Sequence, residues 1–312
     1  MKKILITGAQ GYIGNCLFKY LNTKYKVYGL DKLSSKNKNI KKLNLLNEFQ
    51  LSNYLKKIKP DIVVHLAGKS TIDDIKKKNA YILDNVKATQ ILIRCMKKNN
   101  ISNIIFSSTA AVYLESSKIL SEKSKILPKN IYGKTKLKCE NILKNENLNY
   151  VIFRFFNVCS SIVDLRVGEN HKPETHLIPL LVEKALKKKV FKIYGDNYNT
   201  LDGTCIRDYI HIVDLCNAIK LSINHLNKSK KLKKIFNLGT SKGYSVKQVL
   251  NKVSKILKIK IKFKISEKRE GDLAKLVCSY NATTKYLKWL PRNSVLSKMI
   301  GDEIIWQRKY KN

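Results

Sequence analysis

Three observations place this 312-residue chain among α/β proteins with a doubly wound parallel sheet followed by a smaller C-terminal α/β domain. Short apolar β runs alternate with amphipathic helical stretches up to about residue 155. A glycine-rich turn joins the first run to the first helix. Past residue 160 the alternation loosens into segments punctuated by proline and glycine. Residues 3–7 form a buried strand, and Gly8-Ala-Gln-Gly11-Tyr-Ile-Gly14 leads into a helix over 12–22. A strand near 26–30 follows, then a helix near 48–59 and a strand at 62–66. The series continues with a long helix near 80–98, a strand at 103–107, a helix carrying Tyr132 and a strand at 149–155. Pro173 and Pro179 bracket a further helix start, and 195–203 is rich in turns. Residues 259–265, Ile-Lys-Ile-Lys-Phe-Lys-Ile, alternate strictly and predict a half-buried strand. A segment near 209–240 is expected to return to the first sheet. Two domains follow: 1–160 with that segment, and mainly 161–312.

Composition excludes several classes. A chain 44% hydrophobic can bury a large core, and no apolar run is long enough to span a bilayer. Met1-Lys-Lys runs straight into the first strand, so it reads as structure and not as a leader. The seven cysteines (16, 95, 139, 159, 205, 216, 278) are scattered and contain no C-x-x-C. That pattern suits a reducing cytoplasm and argues against a disulfide frame or a zinc site. The formal charge of +39 is carried mainly by lysine, with only seven Arg among 62 basic residues. Lys, Ile and Asn share A/T-rich codons, and no basic stretch interleaves with stacking aromatics. Compositional drift therefore accounts for the charge, with no specific nucleic-acid or membrane partner.

The chemistry concentrates at Tyr132-Gly-Lys-Thr-Lys136, whose tyrosine and lysine share one helical face. An ammonium beside a phenol favours the phenolate, lowering its pKa from about 10. A shift of three units takes roughly 4 kcal/mol and makes the tyrosine a usable base. Gly8, Gly11 and Gly14, lying between strand and helix, let the backbone approach a pyrophosphate, while the helix N-terminus supplies amide donors. This is the Rossmann context for a dinucleotide. Asp31 ends the second strand, where a carboxylate accepts from a ribose diol and repels a 2′-phosphate, which favours NAD over NADP. Ser107, Ser108 and Thr109 close a strand at the ligand edge. Thr109 could bridge a substrate hydroxyl and Tyr132, whereas Ser107 and Ser108 better fit helix-capping hydroxyls. His65 reads as a structural histidine. His171 and His176 lack metal-ligand spacing, so no metal is assigned. Arg207 and Arg269 stand out in a lysine-rich chain, because guanidinium forks onto phosphate oxygens. Salt bridges to Asp208 and Asp272 are the alternative use of the same pair.

These motifs resemble the nucleotide-sugar epimerases of the extended short-chain dehydrogenase/reductase superfamily, most closely the UDP-glucose 4-epimerases. The likeness spans nearly the whole chain. It is carried by Ile4–Gly14, Phe153-Arg-Phe-Phe-Asn157, Glu174–Pro179, Tyr194–His211, Phe236-Asn-Leu-Gly239 and Arg269-Glu-Gly-Asp272. The resemblance implies NAD held by Gly8, Gly11, Tyr12, Ile13, Gly14, Asp31, Asn44, Leu45, Leu66, Ala67, Gly68, Asn85, Ser107 and Phe155, together with Tyr132 and Lys136. It implies catalysis by Tyr132, Lys136 and Thr109, with hydride passing from sugar C4 to NAD and back through a 4-keto sugar. It also implies a UDP-hexose gripped by Asn157, His176, Leu177, Tyr194, Arg207, Arg269 and Asp272, in a homodimer packed through the helices near 80–98 and 132–147.

The sequence departs from the family pattern at several points. Thr109 replaces a frequent Ser, and Asn44 an Asp near adenine that it can replace as an acceptor. Ser-Thr-Ile-Asp-Asp over 70–74 replaces Val-Gly-Glu-Ser, and Lys69 aligns loosely with a phosphate-facing lysine. Leu276 stands near a sugar-pocket position and is expected to restrict N-acetylated sugars. A 4,6-dehydratase is disfavoured because Ala110 and Ala111 follow Thr109 where an Asp-Glu pair is needed. Epimerisation of UDP-N-acetylhexosamine, UDP-glucuronate or a UDP-pentose stays open, and so does a non-catalytic binding protein.

Overall fold

The computed structural model describes residues 1–70, 78–170, 173–228, 231–269 and 271–311. In chain order the elements are β1 (Lys3–Thr7), α1 (Tyr12–Leu21), β2 (Lys26–Asp31), β3 (Ile40–Lys42), α2 (Glu48–Ile58), β4 (Ile62–His65) and α3 (Lys78–Tyr81). A π-helical turn, Ile82–Lys87, leads from α3 into α4 (Ala88–Lys98). Then come β5 (Asn103–Thr109), α5 (Ile131–Lys144), β6 (Asn149–Phe155), β7 (Asn157–Cys159), α6 (Leu177–Leu186), β8 (Phe191–Tyr194), β9 (Ile206–His211) and α7 (Ile212–Lys228). The chain finishes with β10 (Lys233–Leu238), β11 (Gly243–Ser245), α8 (Val246–Leu257), β12 (Phe263–Ser266), β13 (Lys275–Leu276), α9 (Asn281–Leu287) and α10 (Leu296–Lys309).

Two compact units result. The first comprises 1–112, 126–154 and 218–236, and the second 113–125, 155–217 and 237–312. Residues 113–125, counted with the first domain in the sequence reading, group with the second because Leu120 bridges to Cys278.

The first unit is built on a seven-stranded sheet of order β10-β6-β5-β4-β1-β2-β3. β1 pairs in parallel with both β2 and β4, as do β2 with β3 and β4 with β5. The chain winds outward from β1 to β3, then back through β4 in the other direction. The topological switch point therefore lies between β1 and β4, where such sheets place ligands outside the strands' carboxyl ends. Leu5, Leu30, Val63, Ile104 and Ile152 from the strands pack against α2, α4 and α5 in one core.

In the second unit β9 is flanked by β11 and β13, β7 pairs with β9, and β8 pairs with β12. A separate core joins α6, α8 and α10 to β8 and β9. Three expectations change here. β3 was not foreseen, because three residues carry no periodicity. The strand of the Lys-alternating segment is confined to Phe263–Ser266, and it is not half-buried: Phe263 and Ile265 are 47% and 41% exposed. Of the returning segment, β9 stays in the second unit, and the crossing begins within α7. All seven cysteines are buried thiols. No helix among the described residues is long and apolar enough to cross a membrane.

Candidate active site

At the end of β1 the glycine loop is shaped by what it cannot accommodate. Gly8 has φ +72°, and a Cβ there would lie 2.8 Å from the Ala67 nitrogen. A Cβ on Gly14 would lie 2.0 Å from the Gly8 carbonyl oxygen. Both positions therefore demand glycine. Gly11 caps α1 without a side chain, which leaves the approach to the Tyr12, Ile13 and Gly14 turn uncovered by any capping group. Across the loop, Asp31 accepts from the Gln10 amide (2.9 Å) and the Leu33 amide (3.0 Å), one oxygen each. Each oxygen retains acceptor capacity. The neighbouring Lys32 ammonium turns toward Asp84 at 3.4 Å. Asn44, at an exposed turn beside buried Leu45, spends its side-chain oxygen on the Leu46 amide (3.0 Å). A cradle that side chains would fill, a dipole end and an anchored carboxylate together fit NAD.

The adjoining strand end is fixed by an ordered hydrogen-bond chain. The Ala67 amide donates to Thr7 Oγ1 (3.2 Å), which lies 2.7 Å from His65 Nδ1. On the other side His65 Nε2 lies 3.0 Å from Thr89 Oγ1, and that hydroxyl donates to the Asn85 carbonyl (2.6 Å). Because the Thr89 proton is committed to Asn85, Nε2 must carry hydrogen and Nδ1 must accept from Thr7. Burial, with Lys136 nearby, pushes the His65 pKa down to about 3. His65 is a neutral structural group that positions Leu66, Ala67 and Gly68. Asn85 sits in the π-helical turn, an irregularity common at functional sites. Its oxygen accepts from the Lys69 amide (2.7 Å), and its nitrogen donates to the Lys69 carbonyl (3.1 Å) and to Thr135 Oγ1 (2.9 Å). Lys69 also lies over the Tyr81 ring, 5.3 Å from its centroid. Residues 71–74 of the divergent loop lie outside the described residues.

Tyr132 and Lys136 project from the first turns of α5, whose N-cap Asn130 accepts from the Gly133 amide (2.8 Å). Gly133 is required by crowding, since a Cβ would lie 2.3 Å from the Ala111 carbonyl oxygen. Thr109 Oγ1 accepts from the Ala111 amide (3.1 Å), which leaves its proton for the hydrogen bond it makes with Tyr132. The expected depression of the Tyr132 pKa by Lys136 is not found. Burial pushes Tyr132 up to about 12, outweighing the Thr109 bond, and Tyr81 adds to the rise. Lys136 is itself pushed down to about 8 by burial. Its ammonium donates to the Ser107 carbonyl (2.8 Å) and lies 4.9 Å from the Phe106 ring centre. Neither Ser107 nor Ser108 caps a helix, contrary to the sequence reading. Ser107 donates to the His65 carbonyl (3.0 Å), and Ser108 to Glu140 (2.5 Å). Thr135, which the sequence reading passed over, accepts from Asn85 and donates to the Tyr132 carbonyl (2.9 Å). A buried hydroxyl inside the Tyr-x-x-x-Lys span was the available signal.

The remaining candidates belong to the second unit, Phe155 at the end of β6 included. Arg207 donates to the Leu273 carbonyl (2.6 Å) and pairs with Asp272 at 3.1 Å, so the salt-bridge alternative holds for this residue. Asp208 points to other partners. The Arg269 guanidinium lies over the Tyr194 ring, 3.9 Å from its centre. Asn157 donates from Nδ2 to the Asp208 carbonyl (2.9 Å). His176 caps α6 just before Leu177, with Nδ1 3.4 Å from both Glu169 and Glu174. Burial pulls the His176 pKa down, but the two carboxylates outweigh it and hold the value at about 10. Leu276 stands opposite Arg207 in the β13–β9 register. His171 lies outside the described residues, and among those described no cluster of ligating side chains could hold a metal.

Residues 4–239 match the NAD dependent epimerase/dehydratase family. A UDP-glucose 4-epimerase of Halalkalibacterium halodurans is 34% identical, over 98% of this chain and 96% of its own length. One from Rhizobium meliloti is 35% identical over 93% and 92%. Among solved structures, UDP-glucose 4-epimerase from Bifidobacterium longum in complex with NAD+ and UDP superposes with a TM-score of 0.91. It is 30% identical, and the match covers 99% of this chain and 98% of that one. The chain belongs to the NAD dependent epimerase/dehydratase family.

Proposed function

We propose that the protein is an NAD-dependent UDP-glucose 4-epimerase that interconverts UDP-galactose and UDP-glucose, with Tyr132 as base. The observation that carries this reading is the Thr109, Tyr132 and Lys136 set at the ends of β5 and α5, beside a glycine loop that excludes side chains. Gly8, Gly11, Gly14 and the first turn of α1 hold the pyrophosphate, Asp31 the adenosine ribose, and Asn44 and Leu45 the adenine side. Leu66, Ala67, Gly68, Asn85, Ser107 and Phe155 line the nicotinamide side, and Lys136 bonds its ribose. NAD held by these residues would supply the hydride acceptor, and then donor, for sugar C4.

Tyr132 takes the proton of the 4-hydroxyl, with Thr109 relaying between the two oxygens. A phenol held near 12 by burial needs positive charge beside it to serve as base; Lys136 alone does not lower it here, and NAD+ would add that charge when bound. Arg207, Arg269 and Asp272 grip the diphosphate and ribose. Tyr194 packs by the uracil, while Asn157, His176 and Leu177 contact the sugar nucleotide. The 4-keto sugar turns about its link to the diphosphate, and Tyr132 gives the proton back. The same reading gives a cytoplasmic homodimer joined through α4 and α5. Ile82 and Leu83, 40% and 48% exposed beside α4, support an apolar contact there.

The test is conversion of UDP-galactose by purified protein with no added cofactor, alongside Tyr132→Phe and with UDP-N-acetylgalactosamine as second substrate. Expected are self-sustained turnover, a loss of at least about a hundredfold in the variant, and poor use of the N-acetylated sugar past Leu276. No conversion even with NAD supplied would remove the assignment. Comparable rates on the two sugars would remove only the role of Leu276.

A further inference from the structure

We infer that Asp208 is a positioning residue for the substrate side of the second unit, fixing Arg207, Leu276 and Asn157 relative to one another. Successive β9 side chains face opposite ways, so Arg207 and Asp208 divide the work. Arg207 turns to Asp272 and the Leu273 carbonyl, whereas the fully buried Asp208 carboxylate turns to two other stretches of chain. One oxygen accepts from the Thr240 amide and the Thr240 hydroxyl, both at 2.7 Å. The other accepts from the Ser241 amide (3.1 Å) and the Cys278 amide (3.3 Å). Residues 240–241 lead into β11, and Cys278 follows β13 by two residues. These strands are the two neighbours of β9, so a single carboxylate ties both to it.

The tie matters most for β13. Its ladder is only two residues, Lys275 opposite Ile206 and Leu276 opposite Arg207, too short to secure its own register. A slip of one residue would turn Leu276 to the other face. The approach of the carboxylate is itself built in. A Cβ on Gly239 would lie 2.7 Å from Asp208 Oδ2 and 2.5 Å from Cys278 Sγ. Asp208 also receives the Asn157 amide nitrogen on its own carbonyl. Its carboxylate oxygens are taken up by Thr240, Ser241 and Cys278. It acts through the three residues it holds.

The inference rests on reading those three as UDP-sugar contacts, and the experiment separates the two ideas. Asp208→Asn keeps the shape, removes the charge, and sets an NH2 group against amide donors. UDP affinity is measured by calorimetry, and kcat and KM on UDP-galactose by turnover. Expected are a UDP Kd and KM each raised about tenfold or more, kcat within about threefold, and resident NAD unchanged. Thr240→Val, which removes one donor only, should raise the UDP Kd about threefold, and it decides the matter should Asp208→Asn not fold. Unchanged UDP binding in a folded variant, or a lost kcat at constant KM, overturns the inference and leaves the epimerase reading intact. A wild-type protein that neither binds UDP nor turns over UDP-galactose sinks both.

Discussion

Burial, more than pairing, sets the protonation of the key side chains. Tyr132 at about 12, Lys136 at about 8 and His65 at about 3 are all displaced toward their neutral forms. Glu303 on α10 is the clearest case outside the active site. Its Oε1 accepts from Gln307 (2.7 Å), while Oε2 accepts from no described residue. Lys311, Glu174, Glu169 and Cys159 surround it electrostatically. Burial pushes its pKa from 4.5 up to about 8, against the pull of Gln307 and Lys311. Between those values the folded state holds a proton that the unfolded chain has lost. This group's stabilisation is therefore fully present below about 4.5 and is lost as pH rises toward 8. Glu303→Gln fixes the neutral form, so the variant should match wild type in Tm near pH 4.5 and exceed it by on the order of 5 °C at pH 8. His176, whose raised pKa makes its contribution fade from about 6.5 to about 10, is common to both proteins and cancels. A constant Tm gap across the pH range would show that the proton is not the cause.

Elements are joined behind the active site by one buried ion pair. Arg154 on β6 bonds Glu140 on α5 through two parallel contacts of 2.9 and 2.7 Å, and Ser108 on β5 donates to the same carboxylate. Removing one partner strands a charge, so Arg154→Met should cost about 3–5 kcal/mol in urea unfolding. Adding Glu140→Met should recover part of that loss, and a single-variant cost under about 1 kcal/mol would refute the pair's role. Arg154 was legible in sequence only as part of Phe153-Arg-Phe-Phe-Asn157, since nothing on one strand reveals its partner on a helix. The main sheet was readable because its strands are apolar runs and its helices carry one apolar face. The β9 sheet was not, because β7, β11 and β13 are three residues or fewer. Tyr132, Lys136, Thr109 and the three glycines were found because local spacing fixes them. Thr135 was missed, and Asp208 was read only as an arginine partner, because their partners lie far along the chain or on another element. The Tyr132 pKa was misjudged for the same reason: spacing shows that Lys136 shares a helical face, but not how far burial disfavours both charges.

For the molecule as a whole, the surplus of 39 positive charges is a stability question before it is a binding one. With 62 basic and 23 acidic residues, even complete one-to-one pairing leaves most of the lysines facing like charge. Self-repulsion of that kind destabilises the compact state. The Debye length falls from about 30 Å at 0.01 M salt to about 8 Å at 0.15 M. Raising NaCl from about 10 to 300 mM should therefore increase Tm by several degrees, with most of the gain before about 150 mM. The cause is screening, so NaCl, KCl and sodium acetate at equal ionic strength should act alike, and resident NAD should not change the slope. A selected polyanion site behaves differently: a short RNA or heparin would then stabilise at micromolar concentration even in 300 mM salt, where non-specific contacts have been released. Stabilisation by the polyanion that disappears by about 200 mM NaCl fits a lysine surface produced by composition alone. Persistence at 300 mM would reverse that conclusion and give the charge a function of its own.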